Sequence, residues 1–188
     1  MKTYQVVAGT FLLATFALAQ TPAPATANQR RENQQDRIAN GVQSGQLTAG
    51  ETKSLEGREA NLNREIRDDR AANGGKLTSA EKAQVNRQQN NVSKQIYNDK
   101  HNATTAHYGN NVVGQRRQLQ QTRIANGIRN GQLTAGQTSK LENREQGINQ
   151  QVHADRAANG GKLTAQQKTQ INHAQNRASR AIYKNKHQ

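Results

Sequence analysis

GQLTAGE, at residues 45–51, is the stretch of sequence that decides the fold of this chain. Thr48 stands three residues before Glu51, and this spacing predicts a capping box at the start of a helix. The Thr hydroxyl accepts a hydrogen bond from the N–H of the third helical residue, while the Glu side chain accepts one from the N–H of the Thr. The preceding glycine is typical of a helix end, because glycine adopts the left-handed conformation without strain. The stretch therefore predicts a helix, a short turn and a second helix.

This turn signal occurs four times in the chain, each time as Gly-x-Leu-Thr followed by an acid or an amide three residues after the Thr. We expect each copy to mark the start of a helix. We expect each leucine, which directly precedes the cap, to close the end of a helical hairpin. The predicted capping residues are Thr48 and Glu51, Thr78 and Glu81, Thr134 and Gln137, and Thr164 and Gln167.

A tandem duplication contains all four signals. Residues 29–102 align without a gap to residues 115–188 at an offset of 86, and 42 of the 74 aligned positions are identical. We call these segments repeat 1 and repeat 2. Residues 103–114 contain two Gly and two Asn and are interpreted as a linker. A helix that continues through the linker is the alternative interpretation.

Residues 1–19 are interpreted as a signal peptide. Lys2 supplies a positive charge, Val6–Leu18 is an apolar run, and Ala17–Ala19 is a small-x-small cleavage sequence. A membrane anchor is the alternative, but the run is shorter than the ~20 residues that cross a bilayer. Residues 20–28 contain both prolines and are expected to form a disordered spacer. The sequence thus predicts a periplasmic or extracellular protein with no transmembrane segment in the mature chain.

Apolar residues within each repeat follow helical spacing. Leu55, Leu62 and Ile66, for example, are separated by seven and four residues, which gives a narrow apolar stripe on a polar helix. The predicted fold class is all-α: a tandem duplication of a three-helix antiparallel unit with capping-box turns between the helices. Because the stripes are thin, pairing across repeats or between chains, as in a homo-oligomer, fits them as well as two independent bundles. The expected helices are 29–43, 49–72, 79–100, 115–129, 135–158 and 165–186.

The composition argues against several classes of enzyme. Cysteine is absent and 3% of the residues are aromatic, which excludes thiol chemistry and disfavours an aromatic-lined pocket. None of the five histidines has HxxxH or HExxH spacing. Glu56 and Glu59 recur as Glu142 and Glu145, each pair beside an arginine, and are interpreted as surface ion pairs. We therefore predict no enzymatic activity, no catalytic residues, no cofactor and no metal site.

Charge distinguishes the two repeats. The chain has 27 Lys and Arg against 13 Asp and Glu, a net charge of +14; repeat 1 has 13 basic and 10 acidic residues, and repeat 2 has 13 and 3. Such a basic repeat attracts anionic polymers, for example envelope polysaccharide or extracellular nucleic acid. The alternative is that the charge only keeps the surface soluble. The candidate contacts are Arg116, Arg117, Arg123, Arg129, Arg144, Arg156, Arg177, Arg180, Lys184 and Lys186.

Two other modes of nucleic-acid binding are disfavoured. No aromatic residues alternate with the basic ones, so stacking of single-stranded bases has no platform. Export would also separate the protein from chromosomal DNA, so we predict no sequence-specific DNA binding.

The first turn of each repeat resembles an EF-hand loop. In repeat 1, Asn40, Ser44, Gly45, Leu47 and Glu51 stand at loop positions 1, 5, 6, 8 and 12, and repeat 2 has the equivalent residues 126–137. In both repeats an apolar residue stands at position 3, and in repeat 2 an amide replaces the Glu at position 12. The resemblance implies a vestigial calcium-binding module.

Residues 133–137, LTAGQ, and 163–167, LTAQQ, resemble the LTxxQ motif of Spy/CpxP-like periplasmic proteins. The resemblance implies paired antiparallel helices and a holdase chaperone, although this chain lacks a Met-rich or aromatic lining. The sequence as a whole predicts an exported, non-catalytic binding protein for anionic polymers. The holdase and the vestigial calcium module are the alternatives.

Overall fold

The computed structural model describes residues 25–188, and within that range it contains six helices and no strand. The predicted all-α class is confirmed. None of the described helices is long and apolar enough to cross a membrane. The signal peptide and most of the predicted spacer lie outside the described residues. The helices are α1 Ala27–Ser44, α2 Ala49–Ala72, α3 Ser79–Lys100, α4 Val112–Arg129, α5 Ala135–Ala158 and α6 Ala165–Lys186.

Capping boxes begin five of the six helices. In α2 the N–H of Thr48 donates to Glu51 at 2.8 Å, and the Thr48 hydroxyl accepts from the Glu51 N–H at 3.3 Å. The same arrangement begins α3, α5 and α6. Helix α1 has a further capping box at Thr26, so the helix starts two residues before its predicted start at 29. Helix α4 starts three residues early, after Asn111, and the linker before it is not helical.

The segments that resemble EF-hand loops do not form twelve-residue loops. Asn40 lies inside α1, which continues to Ser44, and only four residues separate α1 from α2. Glu51 accepts hydrogen bonds from the helix cap and from Asn102. No group of three or more His, Cys, Asp or Glu within residues 25–188 is arranged to hold a metal ion. The resemblance is thus one of sequence, because the helix extends through the residues that would form the loop.

Equivalent helices of the two repeats pair with each other. Helix α2 runs antiparallel to α5, with Gly57 opposite Ser139 and Ala60 opposite Gly136. Helix α1 packs along α4, α3 packs on α1 and α2, and α6 packs on α4 and α5, while α3 and α6 do not touch. The two repeats therefore form one body rather than two bundles. Contacts between equivalent helices are typical of a two-fold symmetric dimer.

The main apolar core is shared by both repeats. It contains Ile38, Leu55 and Ile96 together with their equivalents 86 residues later. Buried glutamines fasten the outer helices to this core: Gln34 Nε2 donates to the carbonyl of Gln89 at 2.7 Å, and its equivalent in repeat 2 makes the same bond at 2.8 Å. These hydrogen bonds satisfy the Nε2 groups of the two donor glutamines, while their Oε1 atoms have no partner among the described residues.

Leu47 closes the end of the first hairpin. Its side chain is fully buried and lies against Gly41 of α1, and its N–H donates to the Gly41 carbonyl at 3.0 Å. A Cβ at Gly41 would lie 2.6 Å from Leu47 Cγ. Leu133 packs on Gly127 in the same way. Glycine is therefore required on α1 and α4 at the point where the following leucine folds back.

We predict that Gly41→Ala lowers the melting temperature, because the new Cβ overlaps a buried leucine. Gly147→Ala is the matched control, since Gly147 is also helical and has nothing within 4 Å of an added Cβ. Alanine favours a helix over glycine by about 0.5–1 kcal/mol, so the control should raise the melting temperature. Thermal unfolding followed by circular dichroism measures both. An equal increase in the two variants would contradict the packing of Leu47.

Candidate anion-binding face

Burial removes acidic side chains from the surface of both repeats, and repeat 2 remains the more basic one at the surface. Two of the three acids of repeat 2, Glu142 and Glu145, are buried, which leaves Asp155 as the surface carboxylate side chain of that repeat. In repeat 1, Asp99 lies buried with Glu56 and Glu59. Seven other acids of repeat 1 remain at least partly exposed, namely Glu32, Asp36, Glu51, Glu65, Asp68, Asp69 and Glu81.

The outer face of α6 carries a stripe of basic and imidazole side chains. His173, Arg177, Arg180, Lys184 and His187 follow one another at intervals of four, three, four and three residues, and all five are exposed. At 1.5 Å per residue the stripe is about 21 Å long. Helix α6 contains no acidic residue. We call this set the α6 stripe.

The equivalent stripe on α3 of repeat 1 is less basic. The exposed Asn91 and Asn98 stand at the places of Arg177 and Lys184, whereas the exposed Arg87 stands at the place of His173. The α3 stripe therefore has two Lys or Arg residues and the α6 stripe has three. The two stripes thus share a position in the fold and differ in charge. They provide matched residues for testing what the charge does.

A groove between α5 and α6 adjoins the α6 stripe. Arg144 and Arg177 both line it, together with Gln151, Gln170 and Ala174, and its volume is about 240 Å³. Both arginines are exposed, and the floor is formed by apolar residues of the two helices. Two guanidinium groups beside amide side chains provide donors suited to an anionic group such as a sulfate, phosphate or carboxylate.

The same place in repeat 1 is occupied by a carboxylate. Glu65 on α2 accepts hydrogen bonds from Gln84 at 2.7 Å and from Gln88 at 2.8 Å, both on α3. In repeat 2 the equivalents of Glu65 and Gln88 are Gln151 and Ala174, which cannot form this charged bridge. The sequence did not predict the groove, although it shows that Glu65 is one of seven acidic residues of repeat 1 that have a neutral equivalent in repeat 2.

The other predicted basic residues lie on several parts of repeat 2. Arg116 donates to Asn172 on α6, Arg123 donates to the Ser179 carbonyl, and Arg129 donates to Asn40 and Gln43 at the end of α1. Arg116 and Arg123 thus fasten α4 to α6, and Arg129 joins the repeats. Two further candidates are partly exposed outside the groove and the stripe, namely Arg156 and Lys186.

Arg117 is buried and faces the interior instead of the surface. The ring of Tyr108, in the linker, lies over its guanidinium at 5.4 Å, within the range of a cation–π interaction. Burial lowers the pKa of Arg117, and the charge of Glu145 acts in the opposite direction. Arg117 is therefore not available as a polymer contact, because it is 6% exposed and lies under the Tyr108 ring.

The four recurring glutamates are buried, so their interpretation as surface ion pairs is wrong. Glu56, Glu59, Glu142 and Glu145 are each at most 2% exposed. The one ion pair within 4 Å among residues 25–188 is Arg67 with Asp68. The glutamates lie on the inner faces of α2 and α5. A spacing of three residues on a helix does not distinguish a surface pair from a buried one.

Amide groups provide part of the hydrogen bonding of these glutamates. Gln35 donates to Glu56 at 3.2 Å and Gln121 donates to Glu142 at 2.9 Å. The other six carboxyl oxygens of the four glutamates have no partner. Burial raises the pKa of Glu56 to about 8 and that of Glu59 and Glu145 to about 7, and it raises the pKa of Glu142 well above its usual value. The charges of Arg31 and Arg117 partly oppose the shifts of Glu59 and Glu145.

Comparison with models of protein families, with curated proteins and with solved structures finds no match to this chain.

We predict that the protein loses stability as the pH rises from about 4.5 toward 8. The pKa of Glu56 is about 8 in the folded chain against 4.5 for an ordinary glutamate, so the folded state binds more protons between these values. The stabilisation is complete below pH 4.5 and disappears as the pH passes through the folded pKa. Thermal unfolding at pH 5 and pH 9 should give a lower melting temperature at pH 9.

Glu56→Gln should raise the melting temperature at pH 9 by several degrees, because the amide stays neutral in the same space. Glu32→Gln is the matched control: Glu32 is exposed, and repeat 2 has Gln118 at the equivalent position. The control should change the melting temperature little at either pH. A lower melting temperature for Glu56→Gln at pH 9 would show that the ionised form is favoured in the fold.

Proposed function

We propose that the protein is an exported, non-catalytic binding protein for anionic polymers, and that repeat 2 carries the binding face. The α6 stripe is the observation that carries this proposal. It presents Arg177, Arg180 and Lys184 on one helix face, and Asp155 is the surface carboxylate side chain of the whole repeat. A face of this kind attracts polyanions through counterion release and uncompensated positive potential.

The groove between α5 and α6 gives the face a defined point of contact. One anionic group of the polymer fits between Arg144 and Arg177, and the next groups along the chain reach Arg180 and Lys184 on the α6 stripe. Exported polymers with regularly spaced carboxylates, sulfates or phosphates have this chemistry. Envelope polysaccharide and extracellular nucleic acid both belong to this class.

The holdase alternative has less support. A holdase needs exposed apolar surface for unfolded clients, and large exposed patches of this kind mark interaction sites. Within residues 25–188 the exposed large hydrophobic side chains are Tyr97, Val112, Leu119 and Tyr183. Both tyrosines stack on histidines, with ring centroids 4.2 Å apart.

We predict that Arg177→Asn with Lys184→Asn weakens binding to a heparin oligosaccharide several-fold. The double variant gives these two positions of the α6 stripe the asparagines that repeat 1 has there. Each lost charge contact should lower the slope of log affinity against log salt by about 0.7–0.9, the value for nucleic acids. Isothermal titration at several salt concentrations measures both quantities.

The reciprocal variant, Asn91→Arg with Asn98→Lys, tests whether the place of the two charges in the fold matters. It adds the same two charges to α3, where the Glu65 bridge occupies the equivalent groove, so it should not create an equal second site. Unchanged affinity in the α6 variant would reject the proposed face. Binding that survives high salt in both variants would favour an apolar, holdase-like contact instead.

A second prediction isolates the groove. Gln151→Glu with Ala174→Gln rebuilds the carboxylate–amide bridge of repeat 1 between Arg144 and Arg177, and it should weaken heparin binding roughly tenfold. Gln150→Glu is the matched control, because it adds the same charge one residue away at an exposed position. An equal loss in both variants would show that net charge alone decides binding and that the groove has no role.

A further inference from the structure

The linker between the repeats fills a groove formed by both of them. The N–H of Ala106 donates to the carbonyl of Gly45 at 2.8 Å, and Tyr108, two residues later, lies over Arg117. Arg117 and Gln121 are both buried, and Arg117 is covered by the Tyr108 ring. Burial raises the pKa of the Tyr108 hydroxyl to about 12, and the charge of Glu142 adds to the shift. The linker thus binds as an extended peptide with one backbone hydrogen bond and one aromatic anchor.

A related groove lies at the equivalent place on the other side of the molecule. Arg31 and Gln35 occupy the positions of Arg117 and Gln121, and Gly131 occupies that of Gly45. This groove has a volume of about 410 Å³ and is lined by Arg31, Gln35, Gly131 and Leu133, among others. We call it the open groove.

Exposure distinguishes the open groove from the filled one. Gly131 is exposed whereas Gly45 is buried, and Arg31 and Gln35 are half-buried whereas their equivalents are buried. A Cβ at Gly45 would contact Ala106, whereas none of residues 25–188 lies within 4 Å of one at Gly131. The recognition groups of the filled groove are therefore repeated here, and no segment of the described residues covers them.

The first turn of α1 differs from that of α4 at the point where the linker passes. The linker turns back over the first turn of α4, where a Cβ at Gly114 would lie 1.7 Å from the Tyr108 carbonyl oxygen. The equivalent residue of α1 is Asn28, whose side chain would overlap a segment on that path. At the repeat offset of 86, Pro22 is the sequence equivalent of Tyr108 and has no aromatic ring.

We propose that the open groove binds an extended segment of a partner protein with the pattern small-x-aromatic. The N–H of the small residue donates to the Gly131 carbonyl, and the aromatic ring lies over the Arg31 guanidinium. The occupant of the filled groove, Ala-His-Tyr at residues 106–108, is the template for this pattern. This site is independent of the α6 stripe and of the polymer-binding proposal.

The test uses the full chain and a capped synthetic peptide of residues 103–111, ATTAHYGNN. Titration calorimetry should show saturable binding of one peptide per chain. A peptide with Tyr108→Ala should bind roughly fivefold more weakly or worse, because the cation–π contact is lost. Arg31→Gln in the protein should cause a similar loss, while Arg30→Gln, whose side chain bonds to Asn90 of α3, should cause none.

A photo-crosslinker at the tyrosine position of the peptide identifies the groove that is used. Crosslinks to residues 31–35 and 128–135 support the proposal. Crosslinks to residues 45–49 and 117–121 would show displacement of the linker and overturn it, as would the absence of binding. If the peptide binds only after removal of the residues before Thr26, the occupant of the open groove is the chain's own N-terminal segment. If the protein self-associates and the peptide reverses this, the occupant is a second copy of the chain. Either result also overturns the proposal.

Discussion

The close packing of α2 against α5 is the constraint on which the rest of the structure depends. Gly57 and Gly136 lie in this contact, opposite Ser139 and Ala60, and Ser139 donates to the Lys53 carbonyl across it at 3.0 Å. The contact also removes Glu56 and Glu142 from water, which favours their neutral forms. Because it joins equivalent helices, it places the outer helices α3 and α6 apart and leaves each with a free outer face.

Divergence between the repeats follows burial for every acidic residue except Asp99, which is 9% exposed and is replaced by Asn185, and Asp69, which is partly exposed and is retained. The fully buried glutamates Glu56 and Glu59 are retained in repeat 2, whereas seven of the eight other acids of repeat 1 are replaced by neutral residues. Buried carboxyls form part of the contact between the repeats, so their loss would leave cavities or unpaired amides. Surface carboxylates have no such role, and their loss changes the electrostatic potential without changing the fold. The charge difference is thus a property of the outer faces.

The sequence predicted the helices closely because their starts depend on local chemistry. A capping threonine such as Thr48 and the residue three positions later determine a helix start without reference to the rest of the chain. Burial of Glu56 was not predicted, since it depends on which face of α2 meets α5, and that is a contact between distant residues. The burial of Arg117 under Tyr108 was not predicted for the same reason. In the sequence, Arg117 has the neighbours of a surface arginine. The groove at Arg144 could not be predicted either, because it depends on how α5 and α6 lie relative to each other.

Pairing of equivalent helices within one polypeptide has a consequence for evolution. In an assembly of two identical subunits every mutation occurs twice, so both faces and both grooves must change together. Covalent fusion removes this coupling. One repeat can then lose carboxylates, or one groove can be covered by the linker, while the other repeat or groove keeps the original arrangement. Two specialised surfaces can therefore share one scaffold without either compromising the other.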